Sequence, residues 1–439
     1  MKRLKIIVGG ILTGVIALAF IACWQPIDER PIPCLSWPQD GPGTLPFLNL
    51  SIAPFERGGN GALHRYDWRH TTVSLSNVGA YKYFAFDEVN AEARGRGNSS
   101  WHAMGNKRPL RIRFPSGQER SMFGSTYTVR DWTLIANAVD HSLMRNHSAY
   151  FLGSLLSGMD FSPARHFVHL FMDGEYRGVY MLSDQMEAGR LGLVSNTTPA
   201  LSEYFLEWCH RVPSENPGLR GDVYFLLNNS IPFEIRFPGG SIRRNGGNQF
   251  VNEFVHEVDR ALMRGNREEM SALIDIPSFV DFYLVQELFK NRDVGFSSLF
   301  FQVRQINGNP KLFAGPLWDF DLSSGSSRLQ DSHGPSPQGV WATTQNRFFR
   351  LLMDTGWFRE KVSIRWSEIR NREVQTMIGE IRCLADAYQA CFEHNFMRWP
   401  DKRVRWTNPN LFQLSFMVQV EFLIGWFEQR KRWMDSFLQ

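Results

Sequence analysis

The chain has 439 residues, 43% of them hydrophobic and 21% charged, a balance that fits a folded core and excludes wholesale disorder. Its formal net charge is +4, which gives no ground for a nucleic-acid footprint, since that needs a concentrated basic face. With 35 Phe and 14 Trp, a deep, ring-rich core is expected.

In chain order the first element reads as an export signal. Lys2, Arg3 and Lys5 precede an uncharged apolar run from Ile6 to Ala22, the pattern of a charged start followed by an apolar core. The run ends in Phe20-Ile21-Ala22-Cys23, which resembles a bacterial lipobox with Phe20 where Leu is usual. Cleavage after Ala22 and an uncleaved anchor helix are the alternatives. Residues 1–23 therefore predict a protein exported to the bacterial cell envelope and anchored to the membrane. Residues 24–50 carry Pro26, Pro31, Pro33, Pro38, Pro42 and Pro46 and read as a tether. Cys34, Cys209, Cys383 and Cys391 show no CxxC spacing, so neither a zinc site nor a thioredoxin motif is indicated. Cys383 and Cys391 are expected on one helix, about 12 Å apart and too far to bridge. Buried free thiols are the default expectation.

An ordered region is expected from residue 51. Strand-like runs lie at Thr71–Leu75, Lys107–Phe114 and Val129–Asn137. A helix is predicted from Ser142 to about Leu156, then a hairpin of Arg165–Met172 and Tyr176–Leu182 turned by Asp173-Gly174. Residues 195–248 read as irregular, with short strands at Tyr204–Trp208 and Asp222–Leu227. Helices are predicted over Gln249–Arg264 and Ile276–Lys290, then a strand pair Leu299–Gln305 and Lys311–Ala314, then mostly helix to the C-terminus. The expected class is α+β, with a small mixed α/β lobe at 51–190 and a larger, mainly helical lobe with a helical extension at 191–439.

Three constellations could carry chemistry. Arg94-Gly95-Arg96-Gly97-Asn98-Ser99 with Lys107 combines backbone that can approach an anion closely with cations that neutralise it. A tight turn with solvated arginines is the plainer account, and the spacing is not that of a P-loop. Asp293 follows a helix end beside Asn291, where a loop can present a general base; a capping turn explains the same residues. Asp319 and Asp321 flank Phe320 in an apolar context. Carboxylates there are costly unless paired or bound to a metal, and on a continuing strand they would share one face and chelate together. A structural salt bridge is the competing account.

The order of these parts matches the logic of protein kinases: phosphate cover, Lys, loop Asp, then metal-binding Asp. With Trp132–Asn137 running to Leu143-Met144-Arg145-Asn146, Tyr176–Gln185, Glu287–Asp293 and Gly315–Leu322, the chain resembles the spore-coat-protein-H (CotH) kinase-like family over roughly residues 70 to 370. The resemblance implies an atypical protein-kinase-like two-lobed fold. It also implies phosphorylation of Ser or Thr in a protein at the cell surface, using ATP and Mg²⁺ or Mn²⁺. On this reading Asp293 is the catalytic base, Asp319 and Asp321 hold the metal, and Lys107 pairs with phosphates that Arg94 to Ser99 cover. Gln185 and Glu187 follow the hairpin where a hinge would meet adenine. Ser298 stands five residues beyond Asp293, where ordinary kinases place a metal-binding Asn. The alternative is a non-catalytic binding or assembly module of the envelope. A carbohydrate-acting role remains open too, since glycosidases need two facing carboxylates.

Overall fold

The computed structural model describes residues 44–53, 63–77, 85–102, 107–122, 128–327, 335–400 and 407–439. The export signal and the tether up to residue 43 lie outside the described residues.

Seven strands close into a barrel: β1 (Phe47–Ile52), β2 (Arg69–Ser76), β3 (Phe86–Gly95), β4 (Leu110–Arg113), β5 (Asp131–Ile135), β6 (His166–Met172) and β7 (Glu175–Asp184). Their order is β1-β2-β3-β4-β5-β7-β6, antiparallel except at the β1–β6 seam, which is parallel. Period-2 alternation turns Val73 and Leu75, and Leu110 and Ile112, into the interior, where small Ala91 and Ala93 leave room for Trp132. The strands β6 and β7 also contribute Phe167, Val179 and Met181 to a second core. Both of their faces are therefore covered, which explains their nearly continuous apolar runs.

The remainder of the chain holds a five-stranded sheet, ordered β12-β11-β8-β10-β9. Its members are β8 (Tyr204–Trp208), β9 (Tyr224–Leu227), β10 (Ile231–Phe237), β11 (Leu299–Ile306) and β12 (Asn309–Ala314). Helix α1 (Arg145–Leu155) joins β5 to β6, and α2 (Ile276–Phe289) precedes β11. The Asp275 side chain accepts from the Ser278 N–H at the start of α2, and Lys290 in left-handed conformation ends it, a cap at each terminus. Helices α3 (Glu373–Ala387), α4 (Gln389–Arg398) and α5 (Phe416–Phe437) pack on α1, β7 and α2 respectively.

This architecture overturns the expected two-lobed, kinase-like arrangement of a small α/β lobe and a mainly helical one. The first half is a closed barrel, and the second half carries its own sheet beneath its helices. The difference arises from strands that local pattern hides. β1 begins inside the Pro-rich segment read as a tether, β3 is polar on most of one face, and β10 lies in the Gly/Pro/Asn-rich stretch read as irregular. Cys383 is disulfide-bonded rather than a free thiol, Cys391 lies buried on the next helix, and Cys209 is a buried free thiol. Among the described residues no helix is long and apolar enough to cross a membrane.

Candidate active site

A cavity of about 300 Å³ lies between barrel residues and the second sheet. Arg94 lines it from the end of β3, Arg96, Gly97 and Asn98 from the turn that follows, Arg111 from β4 and Gln185 from just past β7; Glu207, Asp293, Ser298, Asp319 and Asp321 line it from the second half. Residues from Arg94 to Asp321 are thus brought to one concavity.

The glycine turn is built by close approach. A Cβ at Gly95 would overlap the Trp101 ring, and Gly97 has φ +89° with Ser100 against the place a Cβ would occupy. Ser99 opens one helical turn, Ser99–His102. The Arg96 guanidinium lies 5.4 Å from the Trp318 ring centroid and within electrostatic reach of Asp319.

Past α2, the Asn291 side chain accepts the Asp293 N–H at 3.2 Å and caps a single turn, Arg292–Gly295. The capping role expected of these residues therefore coexists with an Asp293 carboxylate in the cavity. Burial, and then the neighbouring Asp319, push the Asp293 carboxyl up to about 7. Asp321 is raised well above the usual carboxylate range by burial, then by Asp319 and Asp293. Asp319 thus opposes the ionisation of both, and Asp293 that of Asp321.

Asp319 and Asp321 do not share a strand face as expected, because β12 ends at Ala314 and Asp319 adopts φ +63°. A tight left-handed turn, not strand alternation, sets the two carboxylates. Ser298, itself at φ +60°, donates its hydroxyl to Asp319 Oδ2 at 3.1 Å. Among the described residues no group of three or more His, Cys, Asp or Glu is arranged to hold a metal ion by itself. The donor set still fits a hard divalent cation: Mg²⁺ is commonly held by one or two carboxylates, with water and ligand phosphates completing the shell. Convergent, half-buried acids are the chemistry such an ion relieves, with Arg211 and Arg292 offsetting only part of the charge at Asp293.

Gly95, Lys107 and Glu187 do not line the cavity. Lys107 is buried, its Nζ 5.2 Å from the Tyr180 ring centroid and without a hydrogen-bond partner. Burial, opposed by Asp140, brings its amine down to about 7. Glu187 is engaged by Arg111, which also donates to Asp131.

Sequence reasoning missed Glu207, Arg211, Arg236 and Arg111. Glu207 accepts the Ser298 N–H at 3.1 Å and pairs with Arg236 at 3.1 Å, while Arg211 donates to Ser297 Oγ at 2.7 Å. One signal was available: an acid inside the apolar run Tyr204–Trp208 is costly unless it is engaged.

The family model described as CotH kinase protein matches residues 93–434. No curated protein matches the chain.

Proposed function

The chain belongs to the CotH kinase protein family, and on that premise we propose that it transfers the terminal phosphoryl group of ATP to a Ser or Thr hydroxyl of an envelope or surface protein. The observation that carries this reading is the meeting of the Arg94–Asn98 turn with Asp293, Asp319 and Asp321 in one cavity. A bound Mg²⁺ or Mn²⁺ would neutralise phosphate charge and position the phosphates for in-line transfer. Asp319 and Asp321 would hold that ion, with Ser298 orienting Asp319 through its hydroxyl. Arg96 and the backbone of Gly97 and Asn98 would engage phosphate oxygens, and Gln185 the base.

Asp293 would accept the proton of the acceptor hydroxyl. A carboxyl near 7 suits this task, since a base works best when its pKa lies close to the working pH. Lys107 would support the barrel side of the site from behind, through the Tyr180 ring, and not by contact with phosphate. Export to an oxidising compartment is part of the proposal. It is supported by the disulfide at Cys383, a bond that persists mainly outside the cytosol, and by the apolar N-terminal run.

The test combines binding and turnover. ATP with Mg²⁺ should raise the melting temperature of the wild-type protein, and ADP should be released with a protein acceptor. Asp293→Asn should keep the thermal shift and lose turnover. If neither ATP nor Mg²⁺ shifts the wild type, the nucleotide reading fails and the binding-module alternative stands.

A further inference from the structure

The segment that carries both proposed metal acids is gripped by a buried polar clamp at the start of α1. The Asn146 Oδ1 accepts the Phe320 N–H at 2.7 Å, and its Nδ2 donates to Asn137 Oδ1 at 3.0 Å. Both contacts are needed to fix the amide's orientation, because an Asn side chain offers one accepting and one donating end. The peptide bond it grips links Asp319 to Phe320, next to the left-handed turn at Asp319. Next along the chain, Arg145 donates from Nε to the Ser323 carbonyl at 3.0 Å and from Nη2 to the Ser324 carbonyl at 3.1 Å.

Arg145 is itself immobilised. Its side chain is fully buried and paired with Asp140 at 2.5 Å, and Asp140 also accepts the Arg145 and Ser142 N–H groups at 2.7 and 3.0 Å. The other side of the segment is tied to the end of α2, where the Ser324 N–H donates to the Phe289 carbonyl at 2.8 Å. Phe320 packs edge-on against Phe289. Residues 319–324 therefore span from the barrel side to the helix that presents Asp293, and the clamp decides where they lie.

We infer that Asn146 and Arg145 are positioning residues: they hold the Asp319–Asp321 turn in the conformation that receives a divalent cation, without touching the ion. The physical reason is that a non-glycine residue at positive φ relaxes unless its surroundings over-determine it. Here one amide and one guanidinium supply three backbone anchors within five residues. This inference rests on the metal role proposed above for Asp319 and Asp321.

The test uses Asn146→Leu, which keeps bulk and removes the acceptor. Its first readout is hydrogen exchange of the Phe320 amide in metal-free protein, and its second is the Mg²⁺ concentration giving half the ADP-dependent thermal shift. Loss of Phe320 protection, with other amides of α1 unchanged, and a midpoint raised about 10- to 100-fold are expected, the usual scale for groups that orient metal ligands. Should Asn146→Leu fail to fold, Arg145→Lys provides the same readouts, because it keeps the charge beside Asp140 and loses the fork to Ser323 and Ser324. An unchanged Mg²⁺ midpoint in a folded variant overturns the inference. A wild type indifferent to Mg²⁺ overturns the metal reading as well, and is distinguished by the absence of any midpoint to compare.

Discussion

The Asp140–Arg145 cluster and the Asp293–Asp319–Asp321 cluster touch opposite ends of one short segment, yet they follow opposite electrostatic rules. Asp140 and Arg145 answer each other. The two oxygens of Asp140 take donors from Ser142 and Arg145, and Arg145 spends its remaining nitrogens on carbonyls. In the cavity the acids face one another, and burial together with mutual repulsion raises Asp293 and Asp321. A satisfied buried pair fixes geometry, whereas an unsatisfied group of like charges keeps a site receptive to a cation. The start of α1 thus supplies rigidity, and the second half supplies the acids.

The sharpest way to break the comparison is to remove one acid of the cavity. Asp293→Asn should lower phosphoryl transfer about 10²- to 10⁴-fold, the usual contribution of a general base, with a melting temperature no lower than that of the wild type, because the raised acid is removed. Breaking the other cluster should do the reverse first. Arg145→Met leaves Asp140 buried and unpaired and should cost about 3–5 kcal/mol of stability, read by urea unfolding at pH 7.5.

Titration sharpens the contrast further. On the proposed role of Asp293 as the base in its ionised form, with its carboxyl pushed up to about 7 in metal-free protein, kcat/KM should rise with pH and level off at or below that value, because a bound cation offsets the repulsion from Asp319. Asp319→Asn removes a like charge that raises Asp293, so the Asp293 titration, followed by NMR in metal-free protein, should move to lower pH.

The smallest expected effect concerns stability. An acid raised in the folded state binds its proton more tightly there than in the unfolded chain, so folding loses stability as pH rises above the ordinary carboxylate value of 3.8. Asp321→Asn should therefore raise the melting temperature of metal-free protein at pH 8, by roughly 1–3 °C, and leave it unchanged near pH 4. A lower melting temperature at pH 8 would mean that Asp321 is paired in a way the cavity does not reveal.

Much of the candidate site could be read from residue order. Arg94, Arg96, Gly97, Asn98, Asp293, Ser298, Asp319 and Asp321 stand out as charges or glycines in apolar or turn-rich contexts, and the fold brings them to one cavity. Lys107 was equally conspicuous and lies behind the wall, because its place depends on how tightly β4 and β7 close around it. Arg111 and Arg236 alternate along strands in the ordinary manner of solvated positions. Only the approach of the second sheet to the barrel turns them inward.

What the sequence determined by itself is local: the hairpin at Asp173-Gly174, the capped helix from Ile276, the run Tyr204–Trp208 and the family membership its motifs announce. Each depends on neighbours within a few residues, through turn chemistry, capping and periodicity. Closure of the barrel through the parallel β1–β6 seam, the five-stranded order around β8 and the left-handed turn at Asp319 were decided only by tertiary structure. All three are set by contacts between residues far apart in the chain. Burial and backbone hydrogen bonds there outweigh what any short segment prefers alone.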